Sequence, residues 1–140
     1  MTELNFKTGK RTFNINGVVE VSFNDTDVDF VGNLYNLFSR LDDRQEQYKS
    51  RVEKMADKKE IFSLMRELDE EIREEINDLF DKDVCTPLFG RMNVFALADG
   101  LPLWANLMLA IMDQIDTGFT REQKAVNPRV QKYTSKWQRK

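Results

Sequence analysis

Apolar and polar positions alternate from Arg11 to Phe23 and then, from Val31 onward, recur every three or four residues, so the chain reads as a hairpin followed by helices. Asn16-Gly17 sits at the centre of the alternating segment, and this dipeptide is a strong hairpin signal. A two-residue loop there would pair Ile15 with Val18 and Phe13 with Glu20, which puts an acid on the apolar face. A three-residue loop instead gathers Phe13, Val19, Val21 and Phe23 on one face, with Gly17 in the positive φ of a bulge. Two strands are marginal alone, so that face must pack on a helix or on another subunit.

Asn24-Asp25-Thr26-Asp27 supplies side-chain oxygens for a helix N-cap. Beyond it, Val31, Leu34, Phe38, Leu41, Gln45, Tyr48, Val52 and Met55 form a heptad seam that predicts a helix from about Asp27 to Ala56, interrupted by the polar Gln45. This seam packs either on the chain's own next helix or in an intermolecular coiled coil. The phase then shifts to Ile61, Phe62, Met65, Leu68, Ile72, Ile76 and Leu79. Asp57 with Glu60 resembles a capping box, so a second helix is predicted from Lys58 to Phe80, the alternative being one continuous helix with a stutter. Val84 to Phe95 reads as a connection with Gly90 as its turn. A short helix is expected from Asn93 to Asp99, a break at Gly100, and a last helix from Pro102 to Asp116. That last helix is apolar nearly all round, as suits the centre of a core or a core helix with one face left for a partner. Gly118 reads as its stop.

The expected fold is therefore α+β and mainly α, with an N-terminal hairpin, four or five helices and a long antiparallel helix pair. Residues 1–116 would form one domain and residues 117–140 a basic, flexible tail. A chain of 140 residues, 41% hydrophobic and 32% charged, is large enough for one core and too apolar for disorder. It has no run of about 20 apolar residues and no signal-peptide core, so no membrane association and a cytoplasmic location are expected. A lone cysteine, Cys85, agrees with that compartment.

The net charge of −3 conceals an asymmetry: from Thr117 to Lys140 there are seven basic residues and one acidic residue, leaving 14 basic and 23 acidic residues elsewhere. An acidic body with a basic tail suggests a homo-oligomer or an acidic partner. Arg129, Lys132, Lys136, Arg139 and Lys140 interleave with Tyr133 and Trp137, a combination suited to nucleic acid, although the acidic body would repel that ligand.

Reactive chemistry is sparse. There is no histidine, which removes the commonest general base and metal ligand. Cys85 lies among apolar residues, as a structural thiol does. The six glycines are scattered and form no phosphate loop. Acid pairs such as Glu70-Glu71 and Glu74-Glu75 lack the histidine that di-iron helical sites require. The expectation is a non-enzyme without cofactor or metal.

The stretch Asp81 to Gly90, with Asn93-Val-Phe-Ala-Leu-Ala-Asp-Gly-Leu-Pro102 and the apolar helix after it, resembles tail assembly chaperones of long-tailed phages and prophages of Gram-positive bacteria. The family's "ING" hairpin is matched by Ile15-Asn16-Gly17 and its "lFG" turn by Leu88-Phe89-Gly90, so the resemblance spans about residues 12 to 116. It implies a chaperone that coats the tape measure protein, helps recruit tail tube subunits and self-associates. Leu34, Phe38, Leu41, Trp104, Met108 and Ile111, with Tyr133 and Trp137 of the tail, are the candidate partner-binding residues. A phage regulator or anti-defence protein that binds a host protein, and a nucleic-acid binder using the tail, are the alternative readings.

Overall fold

The computed structural model describes residues 1–130. Its elements run β1 (Arg11–Ile15), β2 (Val19–Phe23), α1 (Val28–Glu53), α2 (Lys58–Phe80), α3 (Cys85–Phe89), β3 (Leu97–Ala98), β4 (Leu101–Pro102) and α4 (Leu103–Lys124). The fold is α+β and mainly α, as the pattern of apolar positions predicts.

Strands β1 and β2 pair in antiparallel register, with Ile15 opposite Val19, Phe13 opposite Val21 and Arg11 opposite Phe23. This is the three-residue register. Asn16 and Gly17 both have positive φ, 53° and 75°, and the Val18 amide donates to the Ile15 carbonyl at 3.1 Å. Val18 is thus an extra, exposed residue after a tight Asn-Gly turn, and it sets Val19, Val21 and Phe23 inward. Phe23 stacks on Phe13 (4.6 Å between ring centroids) and Phe30 (4.3 Å), with Phe80 closing the cluster at 6.4 Å from Phe23. The hairpin is thereby fastened to the start of α1 and the end of α2.

The capping segment divides its work. Asp27 caps α1 by accepting from the Asp29 amide at 3.0 Å, while Asn24 Oδ1 accepts from both the amide and the hydroxyl of Thr26. Asp57 caps α2 through the Lys59 amide at 2.9 Å. The turn between the two helices is short. Arg40 lies beside Glu75 and Arg44 reaches Glu71, the order that antiparallel helices require. The heptad seam packs within the chain, with Leu34 and Leu41 buried, and Leu37, which lies off the seam, is buried beside them. On α2, Leu64, Ile72 and Ile76 are buried, whereas Phe62, expected on the apolar stripe, is 61% exposed. At its end Asp81 takes the left-handed conformation (φ 52°) and the Lys82 amide returns to the Asn77 carbonyl, a Schellman-type stop made without glycine.

Three expectations need correction. The connection after α2 contains a helix, α3, and the amides of its N-cap residue Val84 and of Cys85 donate to Asn77 Oδ1. Residues Asn93 to Asp99 are not helical. Asp99 and Gly100 both have positive φ and join β3 to β4 as a tight hairpin, which the Asp-Gly dipeptide favours. Finally, α4 does not end near Gly118 but continues to Lys124. Residues 117–124 therefore belong to the last helix and not to the tail. A further helical segment covers 128–130, and residues 131–140 of the expected tail lie outside the described residues.

Gly118 is a site of close approach. A Cβ there would lie 2.6 Å from Asp25 Oδ1. Asp25 is fully buried, and its carboxylate accepts from Arg121 Nη1 at 3.0 Å, from Arg121 Nη2 at 2.7 Å and from Gln114 Nε2 at 3.1 Å. A buried charge is tolerable only when paired and hydrogen-bonded in this way. The Arg121 hydrogen bonds outweigh burial and hold the Asp25 carboxyl below its usual range.

Candidate protein-binding groove

α4 crosses the molecule and buries Trp104, Ala105, Leu107, Met108, Ile111 and Ile115. Trp104 is 1% exposed, and its indole N–H donates to Gln45 Oε1 at 3.0 Å. This explains the polar interruption in the α1 seam: a buried indole needs an acceptor, and an apolar residue could not supply one. The α4 amides at Leu103 and Trp104 donate to the carbonyls of Ala96 and Val94, so the helix starts on the preceding loop without a side-chain cap.

The helix leaves one flank incompletely covered. Leu103, Asn106, Leu107, Ala110 and Gln114 follow three- and four-residue spacing and form the floor of a surface groove. An upper trough of about 240 Å³ lies between this floor and β1, walled by Phe13 and Ile15. A lower trough of about 330 Å³ lies between the floor and the α3 region, walled by Leu88, Phe89, Met92 and Ala98. The two share Ile15, Asn16, Leu107 and Ala110, so they form one continuous surface. None of the lining residues is ionisable. Asn14, Asn16, Asn106 and Gln114 provide the only side-chain polar groups.

The lower wall is held from α2. Arg73 Nη2 donates to the carbonyls of Gly90 (2.9 Å) and Met92 (2.6 Å), and Asp69, paired with Arg73 at 3.1 Å, accepts from the Val94 amide at 2.7 Å. Asn106 Nδ2 donates to the Ala98 carbonyl at 2.8 Å and ties the second hairpin to α4. Met92 and Leu97 remain exposed along this rim.

The candidate partner-binding residues occupy other places. Leu34, Leu41, Trp104, Met108 and Ile111 are core residues, and Phe38 is half-buried with its ring 5.4 Å from that of Trp104. The apolar periodicity identified residues that need cover, and the chain itself covers them. Only Ile111 of these also touches the groove. Tyr133 and Trp137 lie outside the described residues. The groove residues come from β1 (Phe13 and Ile15), α3 (Leu88), the loop after it (Met92) and α4 (Ala110), and no local spacing connects these segments.

The groove has no acid, base or nucleophile. Cys85 is 1% exposed, and burial pushes its thiol up to about 12, so it stays neutral and inert. Among the described residues, no three Cys, Asp or Glu side chains gather as a metal-ligand set, and no helix is long and apolar enough to cross a membrane. Comparison with protein-family models, curated proteins and solved structures finds no match.

Proposed function

We propose that this chain is a non-catalytic assembly chaperone of the kind used to build the tails of long-tailed phages, with the tape measure protein and tail tube subunits as partners. One observation carries the reading. Each segment of the resemblance contributes to the same uncharged apolar groove: Ile15 and Asn16 from the first hairpin, Leu88 and Phe89 from α3, and Ala98 from the stretch Asn93 to Pro102. An uncharged trough with amide groups on its rim suits apolar side chains of another polypeptide and provides nothing for bond chemistry. The lower trough, with Met92 exposed at its edge, is the surface assigned to the partner. Methionine side chains repack readily, which suits a surface that must accept successive segments of a long chain.

The test is capture of tape measure protein from the same genome during co-expression. Wild-type chain should bring it into the soluble fraction, and Met92→Glu should lose that capture while melting at the wild-type temperature, because Met92 is already exposed. No capture by the wild-type chain, or equal capture by Met92→Glu, would defeat the proposal.

A further inference from the structure

The first ten residues form neither helix nor strand and are exposed throughout. Leu4 and Phe6, 89% and 78% exposed, alternate with Glu3, Asn5 and Lys7 in the two-residue period of a strand. This is an unpaired strand pattern. The arm is also rooted in one direction: Asn24 Nδ2 donates to the Thr8 carbonyl at 2.8 Å, and Gly9, at φ 75°, lies so close to Asn24 that a Cβ would come within 2.6 Å of Nδ2.

A matching vacancy lies beside the upper trough. The N-terminal sheet has only β1 and β2 among the described residues, so the outer edge of β1 has unpaired backbone groups. An antiparallel strand with Phe6 opposite Phe13 would bring Leu4 opposite Ile15, Asn5 opposite Asn14 and Lys7 opposite Thr12. Leu4 and Phe6 then join the face of Phe13 and Ile15 that opens over Leu107 and Ala110. A slip of one residue would put Glu3, Asn5 and Lys7 there instead, so the pattern specifies the register.

We propose that the N-terminal arm of one copy of this chain forms the third strand on β1 of a second copy, the two arms being exchanged reciprocally. The chain's own arm could reach that edge only by a two-residue turn at Gly9-Lys10, with loss of the Asn24 hydrogen bond to Thr8. The arm of a second copy reaches it with that bond intact. Charge complements the pairing: the arm carries Lys7 and Lys10 against Glu3, whereas residues 11–116 hold 12 basic and 22 acidic residues. A buried phenylalanine alone contributes about 150–250 Å². Two exchanged arms with their leucines and the surfaces they cover then reach on the order of 1,500 Å², the range of stable interfaces.

Sedimentation of the full chain should reveal a dimer, and Leu4→Asp with Phe6→Asp should weaken it at least a hundredfold without changing the melting temperature of the monomer. Mixing a chain carrying Asn5→Cys with one carrying Asn14→Cys should give a disulfide-linked heterodimer under mild oxidation. A monomer at every concentration, or a dimer indifferent to the arm substitutions, would overturn the proposal. So would a crosslink that forms only within one doubly substituted chain, because that marks closure of the arm on its own β1. Met92 lies outside the upper trough, so failure of this proposal and failure of partner capture are separate results.

Discussion

Gly118→Ala tests the packing of α4 against the hairpin. In the interior of a helix, alanine is favoured over glycine by about 1 kcal/mol, so helix propensity alone predicts a more stable protein. The structure opposes this. The added methyl would lie 2.6 Å from Asp25 Oδ1, and that carboxylate is fully buried and tied to Arg121 and Gln114. Either the helix moves, at the roughly 1–3 kcal/mol typical of overpacking, or Asp25 turns and loses a charged hydrogen bond of about 1.5–3 kcal/mol. Each exceeds the propensity gain in most of its range, so a net loss of about 1–2 kcal/mol is expected. For a chain of this length that lowers the melting temperature by roughly 3–6 °C. Urea denaturation should show a lower midpoint with an unchanged slope. In an Asp25→Ala background the obstacle is gone, and the same Gly118→Ala change should stabilise by about 0.5–1 kcal/mol. If Gly118→Ala alone raises the midpoint, Gly118 is not a close-approach glycine and the reasoning fails.

Two other predictions concern polar side chains. Gln45→Leu completes the apolar seam of α1 yet should destabilise by about 1–3 kcal/mol, because it leaves the Trp104 indole N–H without an acceptor; a urea midpoint at or above the wild-type value would contradict this. The second concerns acid. The folded-state pKa values of Asp25, through Arg121, and Asp83, through Thr86, are lowered, so the unfolded chain binds protons first as pH falls. Their contribution is full above about pH 4, near the unfolded carboxyl value, and is lost as pH falls through the folded values. Asp25→Asn should be less stable at pH 7 and should lose less stability between pH 4 and pH 2; melting temperatures that fall in parallel for both proteins would refute this.

The parts of the fold that were legible are those determined by neighbours in sequence. Asp27 and Asp57 cap α1 and α2 where their side chains can reach amides two residues on, and the parity of Phe13, Val19 and Val21 specified the hairpin register. What depended on distant residues was misread. Gly118 resembles a helix stop because glycine is a poor helix former, whereas its role comes from Asp25, far away in sequence. Val94, Phe95 and Leu97 fit a helical spacing, but the positive φ of Asp99 and Gly100 turns the segment into a hairpin. The groove was illegible for a related reason. Periodicity shows that Trp104 and Met108 need burial and does not show which neighbour covers them, and Ala110 carries no signal that distinguishes a groove floor from solvent.

The Arg73 clamp has a consequence for how readily the proposed binding surface can change. It holds the segment from Gly90 to Val94 by two carbonyls and, through Asp69, one amide, groups that every residue except proline supplies alike. The side chain of Met92 is therefore released from keeping its own loop in place. Under the proposed function, substitutions at that position would retune which polypeptide is accepted while the scaffold beneath stays as it is, so selectivity and foldability would be set by different atoms of the same residue.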